Sequence, residues 1–315
     1  MKMSRDEAVS FLKEKDNFCI LTHRRPDGDT LGTSAFFCRM LRKMGKNAYI
    51  LENPEITEKY AFLHQGLTKP HEEVGDTLVS VDVASKNMLP EAFLPLSDRI
   101  SLRIDHHGTA QSFTKMELVE PEMAACGEIV YALAELLEIK PDKAMADALY
   151  TAVSTATGCF RYANTTANTL RVASVCAGVS DNLFRLNQEL FDTNSLARLQ
   201  VQGYMIENAK FLAGGKVAIC QLPKAVEEQF GATEDDLENI SGFPRSIAGV
   251  KLAATLRQEN ADTVKISVRA VPGWDASQVC AKFGGGGHKG AAGASIQLPM
   301  EEAALAVEKA ILEML

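Results

Sequence analysis

The chain has 315 residues, 46% of them hydrophobic and 23% charged, the make-up of a globular protein with a large buried core; this excludes a disordered chain. At this length a two-domain organisation is expected. With 33 basic and 41 acidic residues the net charge is −8, the wrong sign for gripping long nucleic-acid duplexes through many phosphates, while a short anionic ligand in a local basic pocket stays open.

No window holds the roughly 18 uninterrupted apolar residues of a membrane helix, and the start, MKMSRDEAVSFLKEKD, is charged and amphipathic rather than a signal peptide. A cytoplasmic location is the expectation. The seven cysteines are scattered through apolar segments without a C-x-x-C pair, which fits reduced thiols and argues against a disulfide framework or a zinc ribbon. Cys159, in TGCFRY, is the one thiol worth considering as a nucleophile, but the sequence carries no papain-like or caspase-like signature.

Ser4 and Glu7 form a capping box, and Ala8, Val9 and Leu12 repeat at helical spacing, so the first helix is expected near 4–15. The strand NFCILT then delivers His23. After Gly32 the segment TSAFFCRMLRKMGK reads as a helix and NAYILE as the next strand, a β-α-β unit. TLVSVD runs apolar into Asp82, and RISLRIDHH runs apolar into Asp105, His106 and His107. In a doubly wound sheet the ligand site lies at the carboxyl ends of the parallel strands, so these three strand ends are expected to converge.

Farther along, GEIVYALAELLEI, PDKAMADALYTAVSTAT and TTANTLRVASVCAG read as helices, with Pro141 suited to a first helical turn. NQELFDTNSLARLQVQGYMIENAKFL reads as a polar linker leading into a long helix. The pattern then restarts with a strand (GKVAICQLP), a helix (EEQFGATEDDLENI) and two strands (VKLAATLRQ and the strictly alternating TVKISVRA). A final strand, ASIQL, and a helix after Pro299 complete the chain. The fold class is α/β in two domains. Residues 1–187 form a doubly wound, mostly parallel sheet, 188–205 a linker and connecting helix, and 206–315 a smaller mixed-sheet domain, with the active site expected in the interdomain cleft.

Gathered at strand ends, His23, Asp27, Asp29, Asp82, Asp105, His106 and His107 put four carboxylates in one place, which is tolerated when a divalent cation neutralises them. Mixed Asp and His ligands without Cys favour Mn²⁺, Mg²⁺, Fe²⁺ or Co²⁺ over structural zinc. Five or six ligands with an Asp to share suit two ions about 3.5–4 Å apart, the arrangement of phosphoester hydrolysis. P-D-G-D taken alone is also ordinary turn or cap chemistry. His64 and His71, in a polar segment without evident partners, are expected to be bystanders.

A second constellation is FGGGGHKGAAG, 283–293, where glycines let backbone amides approach an anion and His288 and Lys289 add donors. It lacks the G-K-[ST] of a nucleotide-hydrolysing loop. Arg269, at the end of TVKISVRA, is expected to point toward the same region as a phosphate clamp, with Arg161 and Arg245 as weaker candidates.

These residues resemble the DHH phosphoesterase family. HRRPDGDTLG is similar to its first motif, VDVAS to its second, RIDHHGTA to its third, YTAVSTATGCFRY to its fourth, and GGGGHKGAAG to the signature of the DHH-associated C-terminal domain. Size and domain content resemble the branch that hydrolyses short oligoribonucleotides and 3′-phosphoadenosine 5′-phosphate, and relatives that cleave cyclic or linear dinucleotides share the architecture. The resemblance implies two divalent ions, Mn²⁺ foremost. His23, Asp27 and Asp82 would hold one, and Asp29, Asp82 and His106 the other. His107 would sit by the scissile phosphate with Asp105 orienting the histidines. Gly285, Gly286, Gly287, His288 and Arg269 would hold a terminal phosphate or nucleotide. The implied partners are short RNA, dinucleotides or nucleotide bisphosphates, with a homodimer left open and neither long duplexes nor membranes.

The fourth motif departs from the family's T-D-T-G, reading Thr155-Ala156-Thr157-Gly158. A methyl group cannot coordinate a cation, so the metal served by that carboxylate, taken as the second, is expected to bind weakly. Either an introduced Asp-to-Ala change or a natural loss with altered activity accounts for it. From another functional class, a nucleotide-binding regulator that kept the fold and lost the chemistry is the alternative.

Overall fold

A computed structural model describes residues 2–70, 73–108 and 112–315. His71 lies outside the described residues. The chain divides into two units, Met1–Thr193 and Asn194–Leu315.

The first unit contains α1 (Arg5–Glu14), β1 (Phe18–Leu21), α2 (Gly28–Lys43), β2 (Ala48–Leu51), α3 (Ala61–His64), β3 (Thr68–Lys69), β4 (Thr77–Val81) and β5 (Ile100–Asp105). It continues with β6 (Met116–Val119), α4 (Cys126–Leu136), α5 (Lys143–Ala156), α6 (Ala167–Val179) and α7 (Leu183–Asn187). The strands form one sheet in the order β3-β2-β1-β4-β5-β6, every pairing parallel. This is a doubly wound order whose direction reverses between β1 and β4, so the crevice for a ligand lies beyond the carboxyl ends of those two strands.

Successive residues of a strand face opposite sides, which explains why the central strands are apolar without alternation. Phe18 and Ile20 join the core under α1, α2, α4 and α5, while Cys19 and Leu21 pack on the other side with Leu78, Val83 and Phe93. Ser4 caps α1 with Glu7 as the sequence predicts. Helix α2 begins five residues before its expected start. Asp27 is its N-cap, accepting from the N–H groups of Asp29 and Thr30, so the P-D-G-D segment is the first turn of a helix. Gly32 therefore lies inside the helix, where a Cβ would come 2.3 Å from the carbonyl oxygen of Ala148 in α5. Likewise Pro141 precedes the α5 N-cap, Asp142.

His64 corrects the sequence expectation. It is 4% exposed. Ser34 Oγ donates to the Leu31 carbonyl, so His64 Nε2–H donates to Ser34 Oγ (2.9 Å) with Leu31 O at 3.3 Å, and Nδ1 is buried without a partner. A second proton would have no acceptor, and burial pushes the pKa down to about 4.

The second unit contains α8 (Leu196–Glu207), β7 (Lys210–Leu212), β8 (Val217–Leu222), α9 (Lys224–Phe230), α10 (Glu234–Leu237), β9 (Leu252–Asn260) and β10 (Thr263–Ala270). It closes with α11 (Ala276–Ala281), β11 (Gly286–His288), β12 (Ala291–Ile296) and α12 (Met300–Leu312). The sheet order is β11-β12-β10-β9-β8-β7, mixed because β8 and β9 run parallel and the other pairs antiparallel. The expected single helix over EEQFGATEDDLENI is two, separated at Gly231, which ends α9 in the left-handed conformation (φ 64). Among the described residues no helix is long and apolar enough to cross a membrane.

Two predictions follow from packing. Gly32→Val puts a branched side chain against α5 backbone and is expected to cost about 1–3 kcal/mol in urea unfolding. His64 binds its proton in the unfolded chain first, so its contribution is complete above pH 6.5 and is lost as pH falls toward about 4. That loss amounts to about 3 kcal/mol, and in His64→Gln this part of the pH dependence of unfolding is expected to vanish.

Candidate metal centre

Parallel pairing aligns Leu21 with Ser80 and Val81 with Ile104, so the residues just beyond β1, β4 and β5 emerge together. Asp82 is the centre of the group. It is 2% exposed and adopts φ 59, a left-handed conformation uncommon for a non-glycine residue, fixed in part by its N–H to the Ile104 carbonyl at 2.9 Å.

Two imidazoles face Asp82 from opposite sides. His23 Nδ1 lies 2.8 Å from the carbonyl oxygen of Arg24, which only accepts, so Nδ1 carries the proton and Nε2 presents a lone pair 3.7 Å from Asp82 Oδ2 and 3.8 Å from Asp27 Oδ1. His106 repeats the device, with Nδ1 3.0 Å from Met123 O and Nε2 3.5 Å from Asp82 Oδ1 and 3.6 Å from Asp29 Oδ2. His107 puts Nδ1 2.8 Å from Asp105 Oδ1 and 3.6 Å from Asp82 Oδ1. Backbone carbonyls that fix the tautomer of a histidine are the usual outer support of metal ligands.

Asp29 sits in the first turn of α2. Its carboxylate accepts from the N–H groups of Cys126 (2.9 Å) and Gly127 (3.2 Å) at the start of α4 and from Thr33 Oγ1 (3.0 Å). Those α4 amides are site residues that side-chain reasoning misses, since any residue type supplies an N–H.

Electrostatically the cluster is frustrated. Burial and the neighbouring Asp29, Asp27 and Asp105 push the Asp82 carboxyl well above the usual carboxylate range. Burial also raises Asp29, with Asp27 adding to it. Desolvation opposes ionisation of Asp27, but His23 and two N–H donors prevail and hold it at about 2. Burial disfavours the charged form of His23, yet Asp27 and Asp29 raise it, as Asp105 raises His107 against the same penalty. Asp82 Oδ1 is buried with no hydrogen-bond partner.

Among the described residues two groups place ligand atoms within 4.8 Å of one another: His23, Asp27 and Asp82, and Asp82, His106 and His107. Ligand atoms about 2.1 Å from a shared ion lie roughly 3–3.5 Å apart, so the observed spacings of 3.5–3.8 Å are within a few tenths of an ångström of a holding geometry. The unpartnered oxygen, the carboxylate crowding and the two outward Nε2 lone pairs fit divalent cations shared at Asp82.

The fourth motif closes on the same region. A Cβ on Gly28 would lie 2.5 Å from the side chain of Thr155, so the C-terminal end of α5 abuts the residue between Asp27 and Asp29. Ala156 ends that helix, and its carbonyl oxygen accepts from Asn164 Nδ2, which also reaches Ala124 O. Arg161 is exposed, its Nε donating to Gly158 O at 2.7 Å. Cys159 is half-buried, and burial pushes its thiol up, which suits no nucleophile.

In the second unit the glycine run is a paired edge strand rather than a loop. A Cβ at Gly285 would come 2.2 Å from Gly293 O, and one at Gly287 2.6 Å from Ala291 O, so the hairpin needs glycine there, whereas Gly286 faces open space. Arg269 pairs with Ala291, which pairs with His288, so the two predicted phosphate donors share one sheet face with only an alanine between them. His288 is exposed, and Arg245 is exposed on the turn Ile240–Ser246.

The family model for the DHH family, N-terminal domain, matches residues 17–153, and that for the DHHA1 domain matches 214–314. The "Bifunctional oligoribonuclease and PAP phosphatase NrnA" of Thermus thermophilus is 34% identical over 298 residues, covering 93% of this chain and 89% of that protein. The chain belongs to the DHH family of phosphoester hydrolases. An exopolyphosphatase-related protein from Bacteroides fragilis has the same fold, with TM-score 0.87 at 23% identity and coverage of 98% of this chain and 95% of that one. RecJ of Thermus thermophilus, solved with Mn²⁺, is similar at TM-score 0.54 and 15% identity, covering 98% of this chain and 54% of that one.

Asp82→Asn removes the most frustrated charge. In chelator the variant is expected to melt no lower than the parent, whereas added Mn²⁺ raises the melting temperature of the parent and not of the variant. Equal Mn²⁺-dependent shifts in both proteins would refute the assignment.

Proposed function

We propose that this chain is a metal-dependent phosphodiesterase that hydrolyses very short oligoribonucleotides and dinucleotides to nucleoside 5′-monophosphates and removes a phosphate from 3′-phosphoadenosine 5′-phosphate. In the present sequence Ala156 weakens that activity. The observation that carries the reading is Asp82, buried at the switch point of the sheet with His23 Nε2 on one oxygen and His106 Nε2 on the other. The T. thermophilus relative, named for both activities and aligned over nearly the whole chain, supports the substrate class.

His23, Asp27 and Asp82 would hold one divalent ion, and Asp29, Asp82 and His106 the other, with Mn²⁺ the first choice on the Asp/His donor set. Such ions supply Lewis-acid polarisation of the phosphoryl oxygens and lower the pKa of water. The protein does the rest. Arg24 O and Met123 O hold the Nδ1–H tautomer of His23 and His106, which aims Nε2 of each ring at Asp82. The α4 amides steady Asp29 as charge moves nearby. His107, with Nδ1 on Asp105, keeps its other ring nitrogen free to hold or pass a proton at the leaving oxygen. In the C-terminal unit Arg269, His288 and the backbone of Gly285, Gly286 and Gly287 would bind a terminal phosphate, which favours short substrates; Arg161 and Arg245 are the further basic residues available to an anionic ligand.

A second reading, a nucleotide-binding regulator without turnover, draws on Ala156 alone. Ala156→Asp separates the two. With Mn²⁺ and a panel of dinucleotides, short RNA, cyclic dinucleotides and 3′-phosphoadenosine 5′-phosphate, the variant is expected to release mononucleotides or phosphate at least about 100-fold faster than the parent. Tight dinucleotide binding with no hydrolysis under Mn²⁺, Mg²⁺ or Co²⁺ would instead establish the regulator.

A further inference from the structure

Arg103 is a guanidinium at 2% exposure in the middle of β5. Leu102 and Ile104 point into the core beneath the helices, so Arg103 and Asp105 share the opposite face of the strand. Its Nη1 donates to the Ala84 carbonyl at 3.1 Å and lies 3.8 Å from Asp105 Oδ2, while Nη2 lies 3.3 Å from Glu117 Oε1 and the group sits 5.2 Å from the Phe113 ring centroid. Burying a charge is costly, and a well-packed apolar residue serves a core at least as well. The guanidinium therefore asks for a reason beyond packing, and its contacts supply one.

Asp105 Oδ1 is used in front, accepting from the N–H groups of His106 (2.8 Å) and His107 (3.2 Å) and from His107 Nδ1 (2.8 Å). Oδ2 is buried behind, with no hydrogen-bond partner and Arg103 as its facing cation. Ala84 stands two residues after Asp82, whose left-handed backbone persists only where its surroundings over-determine it. One guanidinium thus touches the carboxylate that aims His107 and the turn that carries Asp82.

We propose that Arg103 is a positioning residue, holding the Asp105 carboxylate and the Asp82–Ala84 turn in register so that His107 keeps a single tautomer, Nδ1–H on Asp105 and Nε2 free. The inference rests on the assignment of Asp82, His106 and His107 to the site proposed above. Glu117 is the counter-charge that makes the buried guanidinium tolerable, so the two are best removed together.

The test uses the full chain in two variants, Arg103→Met with Glu117→Gln, which removes both charges, and Arg103→Lys, which keeps the buried charge and protects the fold. Circular dichroism and urea unfolding check that each is folded. In chelator, at a pH where the imidazoles are neutral, ¹⁵N-histidine NMR reads the His107 tautomer, and Mn²⁺ titration by calorimetry reads affinity. The parent is expected to show one tautomer, the double variant a mixture with Mn²⁺ affinity about 10- to 100-fold weaker, and Arg103→Lys a smaller change of the same kind. A merely structural role would lower stability and leave the tautomer alone. Folded variants that keep the parental His107 signals and Mn²⁺ affinity would overturn the proposal. If the parent binds no Mn²⁺, the functional reading fails, and the NMR result still decides the role of Arg103.

Discussion

Negative charge confined at the carboxyl ends of β1, β4 and β5 is the constraint around which the N-terminal unit is organised. Asp82 is buried between Asp27, Asp29 and Asp105, and each neighbour makes its ionisation harder. A fold retains such a group only if something compensates it, and like charges at this separation are compensated by cations far better than by dipoles. The partners in place are partial ones. Helix N-termini grip Asp27 and Asp29, Arg103 stands behind Asp105, and His107 Nδ1 pairs with Asp105 rather than Asp82. What remains without a hydrogen bond, Asp82 Oδ1, lies 3.5 Å from His106 Nε2 and 3.6 Å from His107 Nδ1.

The surrounding architecture serves rigidity at that point. Two histidines take their tautomer from backbone carbonyls, which do not move independently of the strands and loops that carry them. Gly28 and Gly32 let α5 approach α2 so closely that the fourth motif is pressed against the segment bearing Asp27 and Asp29. Thr155 makes that contact, while Ala156, the last residue of α5, is partly buried and packs against the apolar core.

The sequence displayed the Asp- and His-bearing strand ends more clearly than their supports. Apolar runs ending in His23, Asp82 and Asp105-His106-His107 are readable because parallel strands are buried on both faces and their polar residues stand out at the ends. The start of α2 was hidden because Pro26, Gly28 and Gly32 read as turn residues, and the reason Gly32 sits in a helix lies more than a hundred residues away in α5. His64 read as a bystander without partners because Ser34 and Leu31, to which it hydrogen-bonds, are brought to it only by the fold. The α4 amides and the Met123 carbonyl carry no residue signature at all. Arg103 did carry one, a charge in the middle of an apolar strand, but its meaning depends on Asp105 and Glu117 lying alongside. In the second unit the alternation of TVKISVRA was visible, whereas the glycine run concealed a strand because its glycines answer to close backbone approach at Gly293 and Ala291.

The central claim is that the carboxylate cluster is a two-cation site sharing Asp82, complete on the His23 side and short of a ligand on the side served by position 156. Electron paramagnetic resonance of bound Mn²⁺, titrated into the chain and into Ala156→Asp, tests it most directly. The account predicts one tight, isolated Mn²⁺ in the chain as it stands, and in the variant a second tight ion with the spin-coupled signal of a close pair. No saturable Mn²⁺ binding, or two ions held equally in both proteins, would contradict it.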